Sequence, residues 1–96
     1  MKQFFVYIMA SRKGGTLYTG VTADIARRAF EHREGSIAGF TKTHAVRRLV
    51  YLEACPDAES AIRREKAIKG WKRQWKIDLI EKDNPDWNDL YPTIMG

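Results

Sequence analysis

The stretch Gln3-Phe4-Phe5-Val6-Tyr7-Ile8-Met9-Ala10, then Ser11-Arg12-Lys13-Gly14-Gly15, then Thr16-Leu17-Tyr18-Thr19-Gly20-Val21, decides the fold. The first segment is an unbroken apolar run rich in aromatic and β-branched residues, the composition of a strand. The middle segment is polar and ends in Gly-Gly, a turn signal, and the third segment reads as a second strand, so the whole predicts a hairpin. Alternation along the first strand puts Phe4, Val6 and Ile8 on one face and Phe5, Tyr7 and Met9 on the other. Both faces are apolar, which suits a central strand covered on both sides. Closing the hairpin at Arg12 to Gly15 brings Tyr7 and Tyr18 to roughly the same level on adjacent strands. Taken alone, these are core tyrosines with satisfied hydroxyls.

Outward from the hairpin, Thr22 to Gly35 predicts a helix, with Thr22 as N-cap, Asp24 near the positive end and Gly35 as the stop. Ile25, Ala26, Ala29 and Phe30 form its buried stripe. Arg28 and His32, four apart, lie along the edge of that stripe where core meets solvent. Each is equally an ordinary boundary residue. Ser36 to Arg47 reads as a loop in which Thr41, Lys42 and His44 face either a ligand or water. Arg47 to Ala54 is a third strand, with Leu49, Tyr51 and Glu53 on one face, ended by Pro56.

A second helix begins at the N-cap Asp57. Its buried line runs through Ala58, Ala61, Ile62 and Ile68, with Glu65 in its middle. A carboxylate there needs a cation, because unpaired burial costs several kcal/mol or forces protonation. Two readings stand: a salt bridge to Lys69 at i,i+4, or a metal ligand. One carboxylate, waters and a substrate phosphate is the usual Mg²⁺ arrangement. Gly70 interrupts the helix, which resumes over Trp71 to Glu81 with Trp75, Ile77, Leu79 and Ile80 as core contacts. Trp87 and Leu90 pack the tail back, and Asn84 either caps a turn or reaches the site. The order β-β-α-β-α-α is α+β: a small three-stranded, mainly antiparallel sheet flanked by helices.

Ninety-six residues predict a single domain spanning 1–96. The lone Cys55 excludes an internal disulfide and fits a reducing cytoplasm. No apolar run approaches the roughly 18–20 residues that span a bilayer, so no membrane partner is expected. Net charge is +5, which points to a polyanion. The basic residues cluster from Arg63 to Lys76 with Trp71 and Trp75 interleaved, so Arg63, Lys69 and Lys72, with Lys42, are candidate nucleic-acid contacts.

Together, several of these residues resemble the GIY-YIG nuclease domain. Val6-Tyr7-Ile8 stands near its first triplet and Tyr18-Thr19-Gly20 stands for its second. Arg28 follows at the family's spacing, His32 lies one turn later, and Ala61 to Trp71 looks like the second-helix signature around Glu65. Asn84 to Leu90 is similar to the tail of small single-domain bacterial members. Phe5 replaces the first glycine and Thr19 an isoleucine. No zinc finger, helix-turn-helix or second nuclease half accompanies the motifs to choose a target.

The resemblance implies hydrolysis of phosphodiester bonds in DNA, or RNA, with one Mg²⁺ (or Mn²⁺) held by Glu65. Arg28 would fork phosphoryl oxygens, Tyr18 would orient water or phosphate, Gly20 would admit the nucleic-acid backbone, and Asn84 would give secondary support. The proposed base is Tyr7, a poor one with an unperturbed pKa of about 10; His32, near 6.5, is the alternative or a relay. A module that binds nucleic acid without cutting it, and a protein adaptor using the tryptophan surface, are the competing readings.

Overall fold

The computed structural model describes residues 3–35, 39 and 44–95. Its elements are β1 (Phe4–Ala10), β2 (Leu17–Thr22), α1 (Ile25–Arg33), β3 (Arg48–Cys55), α2 (Ala58–Lys69), α3 (Arg73–Asp83) and α4 (Tyr91–Met95). The strands form one sheet in the order β2-β1-β3, antiparallel at both seams. This is the expected α+β arrangement with one short helix, α4, added at the tail.

The two apolar faces of β1 do what their alternation predicts. Val6, Ile8 and Ala10 join Val50, Ala61, Ile68, Ile80 and Trp87 in one core under α2 and α3. Tyr7 and Met9 join Ala29, Val46 and Leu49 in a second core, against α1 and α4. The sheet is thus the middle of three layers, and any group on α2 reaches the Tyr7 face only around an edge.

Several details depart from the sequence expectation. The β1–β3 register slips between Ile8 and Met9, so that Tyr51 opposes Ile8 and Leu49 opposes Met9. The slip leaves Val50 as an extra residue and sends Leu49 and Tyr51 to opposite faces. Asp24, not Thr22, caps α1 by accepting from the Arg27 amide. Phe30, expected in the core, is 50% exposed, while His32, expected at the boundary, is 2% exposed. Ile62 and Trp75 also face solvent. On α1 and α2 the smaller Ala29 and Ala61, with Ile68, fill the space against the sheet, and on α3 Ile80 does so, leaving the larger apolar residues outside.

The tail is held by polar contacts. The Asn84 amide donates to the Val50 and Asn88 carbonyls, and its oxygen accepts from the Asn88 amide. Asp89 accepts from the Leu49 and Tyr91 amides and pairs with Arg33. Asn84 therefore serves the turn and the tail. No helix among the described residues is long and apolar enough to cross a membrane.

Candidate active site

Tyr7 leaves the central strand on the α1 face, directly opposite Gly20 of the edge strand β2. A Cβ at Gly20 would lie 2.5 Å from both Cζ and the hydroxyl of Tyr7. The phenol ring therefore lies across β2, and the glycine exists to let it. The space at Gly20 is taken by the Tyr7 ring. Tyr18, two residues before Gly20, shares that face but pairs with Met9. The tyrosines are thus diagonal neighbours and not level, with ring centroids 6.4 Å apart.

His32 closes the cluster from the last turn of α1. Its ring centroid lies 5.6 Å from that of Tyr7 and 5.5 Å from that of Tyr18. Its Nε2 is 3.1 Å from the Tyr7 hydroxyl, and its buried Nδ1 has no hydrogen-bond partner among the described residues. Burial pushes His32 down to about 4, and the neighbouring Arg28 pushes the same way against Glu31. Burial also raises the Tyr7 phenol well above its ordinary value, reinforced by Tyr18, Glu65 and Glu31 and opposed by Arg28. At neutral pH the pair is a neutral imidazole and a protonated phenol sharing one hydrogen bond, whose direction follows the imidazole tautomer.

Arg28 stands one turn before His32. Its Nε is 3.7 Å from Glu31, which also pairs with Arg27 at 3.4 Å. These residues line a polar cavity of about 390 Å³ with Thr22, Ala23 and Asp24. Glu31 is the charge that the sequence reading missed. The signal was available, since it lies three and four residues after the two arginines on one helix.

Glu65 comes from α2, on the other side of the sheet, yet its charge is felt at Tyr7. Because β2 is the edge strand, the Glu65 charge acts on the tyrosine face around it, by way of the region where Lys69 faces Tyr18. The Glu65 side chain is 14% exposed and its carboxylate forms an ion pair with Lys69 Nζ at 3.0 Å. The same ammonium faces the Tyr18 ring, 5.9 Å from its centroid. The salt bridge is therefore formed, and it sits beside the ring cluster. Among the described residues no three of His, Cys, Asp and Glu gather as a metal cage. One covered carboxylate that already holds a cation suits an ion that keeps most of its waters and takes a substrate oxygen, as Mg²⁺ does.

The structure brings together Tyr7, Tyr18, Gly20, Arg28, His32, Glu65 and Lys69. Other candidates lie elsewhere. Lys42 falls outside the described residues. Arg63 pairs with Glu59 on the solvent side of α2. Lys72 lies over the Trp75 ring, beside a largely apolar cavity of about 370 Å³ lined by Trp71, Trp75 and Leu79. Asn84 is engaged with Val50 and Asn88.

Comparison with known proteins finds one family model and several similar chains. The model of the GIY-YIG catalytic domain matches residues 3–78. A UPF0213 protein of Staphylococcus saprophyticus is 38% identical over 82 residues, covering 85% of this chain and 99% of its own. One from Desulfotalea psychrophila is 38% identical over 89 residues, covering 92% and 80%. The solution NMR structure of a UPF0213 protein from Bacillus halodurans superposes with a TM-score of 0.56 at 33% identity, over 91% of this chain and 92% of that one. With the matched region spanning β1 to α3 and the paired tyrosines, Arg28, His32 and Glu65 inside it, the chain belongs to the GIY-YIG catalytic domain family, a nuclease family.

Proposed function

We propose that the protein is a divalent-metal-dependent endonuclease that hydrolyses phosphodiester bonds in DNA or RNA. The observation that carries this reading is the hydrogen-bonded Tyr7–His32 pair, whose phenol feels both the Arg28 guanidinium and the covered Glu65 carboxylate. Hydrolysis needs a base for water and fixed positive charge where the phosphoryl oxygens gain negative charge. Arg28, 42% exposed at its side chain, offers two donors to those oxygens. Glu65 would hold the metal, which when bound supplies Lewis-acid stabilisation of the phosphate and the leaving oxygen.

The base is best understood as the pair. A water proton passes to the Tyr7 hydroxyl oxygen as the Tyr7 proton passes to His32 Nε2, so no free phenolate forms. His32 resists protonation in the resting site partly because of Arg28. A substrate phosphate against Arg28 cancels that charge and makes the imidazole a better acceptor. Tyr18 lines the path and fixes the ring stack. The test is incubation with single-stranded, duplex and branched substrates in Mg²⁺ or Mn²⁺. Cleavage abolished by Glu65→Gln and by Tyr7→Phe supports the reading, and cleavage unchanged by Glu65→Gln rejects the role of that residue.

One observation favours a second reading, a module that holds nucleic acid without cutting it: Lys69 already neutralises Glu65. It predicts salt-dependent binding, intact in Glu65→Gln, with no cleavage in any metal.

A further inference from the structure

We infer that Lys69 is an exchangeable cation of this site: it neutralises Glu65 in the free protein, yields that carboxylate to the metal, and turns its own charge to a substrate phosphate. The inference rests on the nuclease reading above and concerns a residue outside its chemical step.

Of the described ion pairs, Glu65–Lys69 contains the most covered carboxylate, 14% exposed against 25–83% for the others. An anion so placed favours a nearby counter-charge, though with the Lys69 end half exposed the pair is of modest strength. Its partner is the opposite kind of group, since the Lys69 side chain is half exposed, on a flexible four-carbon stem. The Arg64–Glu53 pair, also on the α2 side of the sheet, is built differently. Arg64 meets both Glu53 oxygens, and its guanidinium also lies 5.2 Å over the Trp71 ring. That arginine is anchored on several sides, whereas among the described residues Lys69 pairs with one carboxylate oxygen and faces Tyr18 from a distance.

The position of the ammonium matters as much as its mobility. It lies 3.0 Å from the carboxylate and faces the Tyr18 ring, in the region that a hydrated cation bound to Glu65 would share. A divalent ion coordinated at about 2 Å to the same carboxylate repels an ammonium paired with it. The ammonium must then swing away, and the nearest new anion in a loaded site is the substrate backbone. Lysine serves such contacts as a point charge and needs no fixed fork geometry. Lys69 and the metal therefore compete in the free protein and act together once nucleic acid is bound.

The experiment measures binding, not turnover. Free Mn²⁺ is followed by EPR during titration into wild type, Lys69→Met and Glu65→Gln, without nucleic acid. A fluorescein-labelled DNA oligonucleotide is then titrated in EDTA across a salt series by anisotropy. Lys69→Met is expected to bind Mn²⁺ about twofold to fivefold more tightly, the factor set by losing an ion pair of modest strength. It is expected to bind DNA more weakly, with the salt slope reduced by about 0.7–0.9. Lys69→Gln repeats both titrations and guards against a folding defect specific to methionine. Unchanged Mn²⁺ affinity in both variants, while Glu65→Gln loses it, would overturn the exchange and leave the nuclease reading intact. Unchanged DNA affinity would also overturn it. Absence of Glu65-dependent Mn²⁺ binding in every protein would overturn the exchange and the metal assignment together.

Discussion

Substituting Gly20 by alanine tests the central packing feature of the site. In a strand without steric conflict, Gly→Ala stabilises by about 0.5–1 kcal/mol, because the unfolded chain loses freedom and the strand gains a side chain. Here the new Cβ would sit 2.5 Å from the Tyr7 Cζ and hydroxyl and 3.0 Å from Cε1. The ring cannot step aside easily, being buried and wedged between Tyr18 and His32. Overpacking of this kind costs about 1–3 kcal/mol. The net expectation is a loss of about 1–2 kcal/mol in wild type. In a Tyr7→Leu background the far end of the ring is gone, and the same substitution should be neutral or stabilise by up to about 1 kcal/mol. Urea unfolding of the four proteins gives the coupling directly, expected at about 1–3 kcal/mol. The displaced ring should also open the pocket over His32, so its NMR titration should move up from about 4 towards the ordinary value. Equal effects of Gly20→Ala in both backgrounds would refute the claim that this glycine exists for Tyr7.

Three further outcomes follow from other contacts. The unfolded chain protonates His32 below about pH 6.5 and the native protein only below about 4, so unfolding takes up a proton between these values. Stability should be intact above pH 6.5, fall by about 3 kcal/mol as the pH drops through the window and be flat below pH 4 for this group; His32→Phe should lose that component in pH-dependent urea melts. Asn84→Ala removes three hydrogen bonds to Val50 and Asn88 and should cost about 2–3 kcal/mol in denaturant melts, without altering Mn²⁺ binding at Glu65. Arg28→Lys keeps the charge but loses the fork, and single-turnover cleavage should slow by about 10²-fold or more; a rate within about twofold of wild type would remove Arg28 from contact with the phosphate.

What the chain settles locally was legible before any coordinates. The period-two alternation of Phe4 to Met9 determines that β1 is central, because a strand apolar on both sides has nowhere else to go. Gly-Gly closes the hairpin, Asp57 and Gly70 bound α2, and the order of tyrosines, Arg28, His32 and Glu65 marks the family. The side of a helix that faces inward was less legible, since Phe30, Ile62 and Trp75 satisfy the apolar period and still point to water. Only packing distinguishes which apolar residues a finite sheet surface can cover.

The site itself belongs to the tertiary structure. Nothing in the one-dimensional order says that Tyr7 lies across Gly20, since that depends on the exact β1–β2 register. Nor does it say that the Val50 bulge divides Leu49 from Tyr51, or that the Glu65 charge acts on the tyrosine face around an edge strand from the opposite layer. Sequence carries short-range preference in its spacing and composition. Burial of His32, the charge acting on Tyr7 and the placement of Lys69 facing the Tyr18 ring arise from groups distant in the chain, which meet only when the layers close.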